Sequence, residues 1–289
     1  MIRRSAPLVA CVLLGCIGHQ ALAPQALAQD ASPERLRFAV YAAGLNVLDI
    51  VSDVTLGPQN YRIDLNFHTA GMFGALFHSD INSFVQGVWN GAMPQPIRFA
   101  SWGMVRGEPR ETIIDYHADQ PVLTKLEPLH EQDRDPVPSA MQRNTVDTLS
   151  AMAMLVRAVA TTGKCEGELT TFDGRRVLRI TAHTAGLETL QSEGRSSFSG
   201  PALRCDFDGL QTAGFQHDES EAELHRIHRS TAWLAKVSPE QPALPVRVMF
   251  ETSYFGHAIA YLTTATPKPP GALASGALAS GALASGAAK

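Results

Sequence analysis

The sequence predicts a mainly β fold: a strongly curved antiparallel sheet or β-barrel with one helix at about residues 147–161. Three observations predict it. Short apolar-alternating segments recur along the chain, Gly, Pro and Asn clusters separate them, and only one stretch has helical spacing. The clearest strand is 61–67. Tyr61, Ile63, Leu65 and Phe67 fall on one side of it, and a period of two puts one face in a core and the other in water.

The elements follow in order. Strands are expected at 36–40 and 45–55, joined through Tyr41-Ala42-Ala43-Gly44. Gly57-Pro58-Gln59-Asn60 supplies the turn into 61–67. Further strands are expected at 79–90, 95–106 and 108–117. From 126 to 144, Pro128, Pro136 and Pro138 stand among charges, which reads as a long surface loop. Thr145 or Asp147 can cap the helix, Leu149, Met152, Ala153, Leu155, Val156 and Val159 give it an apolar face, and Gly163 ends it. A lone helix among strands packs over a sheet face or plugs a barrel end. Asp173-Gly174 turns a hairpin between 164–172 and 175–182. The remaining strands are expected at 187–198, 203–207, 232–237, 245–250 and 255–264, with Ser199 to Ala202 as a turn.

Three segments organise the chain. Arg3 and Arg4, the apolar run Leu8 to Leu14 and the small-x-small site Ala26-Leu27-Ala28 make residues 1–28 a secretory signal peptide, which addresses the mature chain to the periplasm. Ala21-Leu22-Ala23 offers a second cleavage site. Leu13-Leu14-Gly15-Cys16 is similar to a lipoprotein box, so a lipid anchor on Cys16 is the less favoured alternative. Residues 29–266 form a single β domain. Residues 267–289 form a low-complexity tail with three copies of Gly-Ala-Leu-Ala-Ser, whose small side chains bury too little to offset chain entropy. Of four cysteines, Cys11 and Cys16 fall in the signal. Cys165 and Cys205 remain, and in an oxidising compartment a lone pair reads as a disulfide, with two buried free thiols as the alternative.

Composition excludes some classes. The net charge is −4 and no basic stripe is present, so no nucleic-acid partner is expected. Nothing after the signal reaches the ~18 apolar residues of a membrane-spanning helix. Gly44, Gly71 and Gly74 lack a strand-to-helix phosphate context, no Gly-x-Ser-x-Gly elbow occurs, and no cofactor is expected.

The densest polar cluster is His217, Asp218, Glu219, Glu221, Glu223, His225 and His228. Imidazoles and carboxylates are zinc ligands, and His225 and His228 have the spacing of one helix face. Arg226 and Arg229 would repel a cation, so a solvated loop or short helical excursion is the favoured reading. A metal site at His217, His225 and His228 is the alternative. Asp147 reads as a helix cap rather than a catalytic acid. Arg175 and Arg176 read as solvated arginines at a hairpin tip rather than an anionic head-group site. The segment Ala70 to Phe77 is apolar, Gly-rich and unlike a regular strand. If exposed, its Met72, Phe73, Leu76 and Phe77 would form a lip for an apolar ligand; if buried, it is a sheet corner.

A family resemblance adds to this reading. It is carried by Tyr41 with Gly44, His68-Thr69-Ala70-Gly71, Asp147-Thr148-Leu149-Ser150, Phe172-Asp173-Gly174-Arg175-Arg176 and the run Phe198 to Cys205. In their order and spacing these resemble the bacterial exported family of unknown function DUF3108, over about residues 36–264. The resemblance implies a strongly curved antiparallel sheet or barrel with little helix, and no established activity. The expectation is a non-enzymatic envelope protein that binds a lipid or acyl chain, or docks an envelope protein. A hydrolase using the His217, His225 and His228 region, and a non-catalytic scaffold, are the alternatives.

Overall fold

A computed structural model describes residues 33–118, 120–129, 134–239, 241–252 and 256–267. The signal peptide expected at 1–28, Cys16 and the tail expected beyond Pro267 lie outside the described residues.

Thirteen strands form one antiparallel sheet that does not close on itself. The first seven are β1 (Glu34–Ala42), β2 (Leu45–Leu56), β3 (Asn60–Thr69), β4 (Ser79–Asn90), β5 (Met93–Val105), β6 (Glu108–His117) and β7 (Gln120–Glu127). The short helix α1 (Gly71–Leu76) joins β3 to β4. After β7 the chain crosses over through α2 (Ser139–Gln142) and α3 (Thr148–Thr162). The remaining strands are β8 (Gly167–Phe172), β9 (Val177–Leu190), β10 (Gly200–Ala213), β11 (Ile227–Ala235), β12 (Leu244–Thr252) and β13 (Gly256–Pro267), with α4 (Glu221–Leu224) between β10 and β11. The spatial order is β7 to β1, then β13 to β8, so β1 and β13 lie together at the centre while β7 and β8 are the edges.

The expected fold class, a curved antiparallel sheet with little helix, is what the chain adopts. Three strand readings need correction, the first being the turn expected at Ser199 to Ala202, where Gly200, Pro201 and Ala202 already pair with β9 as the start of β10. The strands expected at 175–182 and 187–198 are one strand, β9. Gly186, with φ 120, sits where the β9–β10 register shifts, so this glycine makes a bulge and not a break. Residues 191–199 instead leave the sheet, and the Ser197 amide donates to the Leu262 carbonyl at 2.8 Å. The loop expected from 126 begins later, because β7 runs to Glu127. Pro121 fits there because β7 is an edge strand.

α3 is the interior element. Asp147 caps it by accepting from the Ser150 amide, and Gly163, in the left-handed region, closes it by donating to the Val159 carbonyl. Leu149, Ala153, Val156 and Val159 are buried, and α3 packs on β3, β4, β5 and β8. The main core combines this face with Tyr61, Ile63, Val85, Phe99 and Ile114. Cys165, just after α3, forms a disulfide with Cys205 on β10, Cα atoms 5.9 Å apart.

The two edges are drawn together by the β8–β9 hairpin. The Asp173 carboxylate accepts from the amides of Arg175 and Arg176, and Gly174 takes φ 93 at the tip. A Cβ on Gly174 would lie 2.7 Å from the Thr112 methyl, so the tip is pressed onto β6. Arg175 donates to the Glu127 carbonyl at 2.9 Å, to the Pro128 carbonyl at 3.2 Å and to the Thr112 hydroxyl at 3.3 Å. It therefore clasps the far edge rather than standing solvated, as the sequence reading had it. On the other side, Val146 pairs with β8: its amide donates to Thr170, and it accepts from Phe172.

Two outcomes follow. Arg175→Ala loses charged donors to the Glu127 and Pro128 carbonyls at the partly exposed sheet edge and costs about 1 kcal/mol; hydrogen exchange should rise first in β6 and β7. Replacing both Cys165 and Cys205 by Ser releases the loop they close, whose sequence separation is 40. Unfolding in urea should then show a loss of about 3–4 kcal/mol.

Candidate functional site

The concave face of β8–β12 does not pack solidly against α3. A cavity of about 330 Å³ remains between them. From the helix, Ala151, Met152, Met154, Leu155 and Ala158 face it. From the sheet, Leu169, Ile180, Phe207, Val248 and Phe250 form the opposite wall, with Cys165 at its base. Polar residues stand at its ends: His228, Arg229 and Glu251 where β11 begins and β12 finishes, and Glu166 where β8 begins.

The cavity follows from how α3 distributes its side chains. One stripe, Leu149, Ala153, Val156 and Val159, is spent on β3–β5. The rest of the helix is also apolar, carrying Ala151, Met152, Met154 and Ala158 on the flank toward β8–β12. A helix apolar beyond a single stripe needs a second apolar neighbour. That breadth was present in the sequence and is the signal by which these residues could have been found. The strand walls came from distant segments and had no local signature.

At the N-terminus of α3 lies a buried polar chain. The Ser150 hydroxyl is 2.6 Å from an Asp147 carboxylate oxygen and 2.8 Å from the Tyr61 hydroxyl. Asp147 is fully buried. Burial raises its carboxyl to about 6, against the pull of the hydrogen bonds from Ser150. Burial also raises the hydroxyls of Tyr61 and Tyr116. The Tyr116 hydroxyl is buried without a hydrogen-bond partner among the described residues. This group caps and seats the helix, as the sequence reading of Asp147 expected.

The other sequence candidates are dispersed. α1 covers 71–76, and Met72 and Leu76 are 79% and 75% exposed, with Phe77 at 45%. The Phe73 side chain lies outside the described residues. His217 lies 3.0 Å from Asp135, His225 follows the short helix α4, and His228 stands on β11 opposite Gly209. His225 and His228 therefore do not share a helix face, because the chain turns from helix to strand between them. Among the described residues, no group of three or more His, Cys, Asp or Glu side chains is placed to hold a metal. No helix among them is long and apolar enough to cross a membrane.

The architecture is that of β-barrel-like proteins. A β-barrel-like protein of the domain of unknown function DUF1849 from Brucella abortus superposes with a TM-score of 0.53 at 12% identity, over 83% of this chain and 99% of that one. A candidate lipoprotein from Parabacteroides distasonis ATCC 8503 aligns with a TM-score of 0.34 at 8% identity, over 82% of this chain and 96% of that one. No curated protein matches the sequence. The family profile for the protein of unknown function DUF3108 matches residues 37–263, and the chain belongs to that family.

The raised Asp147 carboxyl has a measurable consequence. Its folded value of about 6 lies above the roughly 3.9 of an unfolded chain. The folded state holds this proton longer, so its contribution to stability is complete below pH ~4 and is lost as pH rises through ~6. Wild type should lose about 2 kcal/mol relative to Asp147→Asn between pH 4 and pH 7. Urea titrations at both pH values check it; equal pH slopes for the two proteins would refute it.

Proposed function

We propose that this protein is a periplasmic, non-enzymatic binding protein of the cell envelope, and that the cavity under α3 holds the acyl chain of an apolar or amphipathic ligand. The observation that carries the reading is the 330 Å³ apolar cavity on the concave face of the sheet. Small-molecule sites are concave, mostly apolar, about 300–1,000 Å³ and rimmed by a few polar groups. This cavity has each of those properties. Four of its lining side chains are flexible or small: Met152 and Met154 adapt to irregular contours, and Ala151 and Ala158 leave room. Export rests on the N-terminal pattern of Arg3, Arg4, Leu8 to Leu14 and Ala26-Leu27-Ala28.

The test uses cis-parinaric acid, a fluorescent fatty acid, titrated into the purified mature protein. Saturable binding at one site per chain is expected. Ala151→Phe, which fills the space from the helix side, should weaken it at least about tenfold, the effect of losing about 1.4 kcal/mol of contact. Non-saturable binding, or an unchanged affinity in Ala151→Phe, would overturn the reading. The mass of the protein from a periplasmic fraction separates release after Ala28 from lipid attachment at Cys16.

A further inference from the structure

We propose that the end of the sheet bearing α1 docks on a lipid surface, where it presents the mouth of the cavity to the bilayer. The choice of a bilayer as occupant rests on the acyl-cavity reading; the exposed apolar end itself does not.

Exposed apolar side chains stand at both ends of the sheet, Leu187, Met93 and Ile97 toward the far one, and at this end they come together on α1, β2 and β5. Met72 and Leu76 on α1 are 79% and 75% exposed, and Leu45, first residue of β2, is 60% exposed. The backbone places them together, because a Cβ on Gly71 would lie 3.0 Å from the Asn46 carbonyl. On β5, whose last residue Val105 pairs with Ser79 just after α1, Met104 and Trp102 are also exposed. Trp102 lies three residues from the strand end. At the rise of a strand that is about 10 Å below the tip, and interfacial elements embed by about 5–10 Å. Leu, Met and one Trp set at this depth form the side-chain pattern of an interfacial surface.

Charge agrees. α1 carries no charged residue. The nearest acids on β2 and β4 are engaged: Asp49 lies 3.8 Å from His68, and Asp80 accepts from Asn66 at 2.7 Å. Arg106 and Glu108 both stand exposed at the β5–β6 turn of the same end, which therefore adds no net charge.

The bilayer is favoured as occupant by continuity with the cavity. Across the sheet, Leu45 pairs with Ala42, Ala42 with Ala258, and Ala258 with Phe250. Phe250 lines the cavity, and Ala42, Ala258 and Phe250 belong to one apolar cluster. An apolar row therefore runs from the exposed end to the cavity wall. His228 and Arg229, at the cavity's polar rim, open toward this end, since β11 begins there. The described chain enters and leaves at the opposite end, where Glu34 pairs with Pro267.

The experiment is co-sedimentation of the mature protein with vesicles of phosphatidylethanolamine and phosphatidylglycerol, with tryptophan emission read alongside. The other two tryptophans make the signal specific: Trp233 is 7% exposed, and Trp89 donates to Gly57 at the far end of the sheet. Sedimentation with the vesicles and a blue shift of emission are expected. The shift should vanish in Trp102→Phe while sedimentation persists. Met72→Asp with Leu76→Asp, both at exposed positions, should reduce partitioning at least about tenfold while circular dichroism and parinaric acid affinity stay unchanged. No sedimentation, or undiminished sedimentation of the double variant, would overturn the docking proposal. Because parinaric acid is delivered from solution, its binding reports the cavity alone, and the two readings fail separately.

Discussion

A sheet of thirteen strands that does not close must hide two edges, and the rest of this structure depends on how that seam is held. Unpaired edge strands are templates for association with other chains. Here β8 is covered by the backbone at Val146, and the β8–β9 hairpin is clasped to the end of β7 by Arg175. An arginine suits this task because its planar fork carries several donors at fixed angles, so one side chain can satisfy two carbonyls and a hydroxyl. The Asp173 turn holds the hairpin tip while Arg175 reaches across. With the seam drawn in, the sheet becomes a trough deep enough to hold a helix.

The helix in that trough has two unequal neighbours. Toward β3–β5 it buries Leu149, Ala153, Val156 and Val159, and its start is fixed by the Asp147–Ser150–Tyr61 chain. A buried carboxylate is costly, and the raised Asp147 carboxyl expresses that cost. What the group gives in return is position. An N-cap bond to the Ser150 amide and a hydroxyl bridge to β3 set both the register and the rotation of α3. Rotation decides which flank faces β8–β12, and hence that the lining is Met152, Met154 and Leu155.

Much of the fold was legible because its cues are local. The alternation at 61–67, the Asp173-Gly174 turn and the Asp147 and Gly163 caps each state a conformation within a few residues. The errors arose where a local cue has two meanings. The gap expected between 182 and 187 contains Gly186, which in this long antiparallel pair is a bulge. Arg175 reads as solvated at a hairpin tip, because nothing nearby in sequence says that β6 and β7 lie beneath it. The cavity was less legible for the same reason. Its walls join residues from α3, β8, β9, β10, β11 and β12, and a volume left between elements has no motif. The exposed α1 segment was conspicuous in sequence because it is short and contiguous.

The disulfide and the cavity share one side of the molecule, and physical chemistry gives a reason. An apolar space between α3 and the sheet forgoes packing, and missing contacts lower stability in proportion to the volume left open. Restoring that stability by larger side chains would fill the space. A cross-link acts differently. In the chain-entropy view it restricts the unfolded chain and takes little native volume. Cys165 follows α3 directly, and Cys205 sits on β10, so the bond ties the helix end to the sheet at the base of the cavity. The side of α3 with the fewest contacts thus carries the covalent tie, and the side packed on β3–β5 carries none. Stability is supplied here in a form that leaves the concave face open.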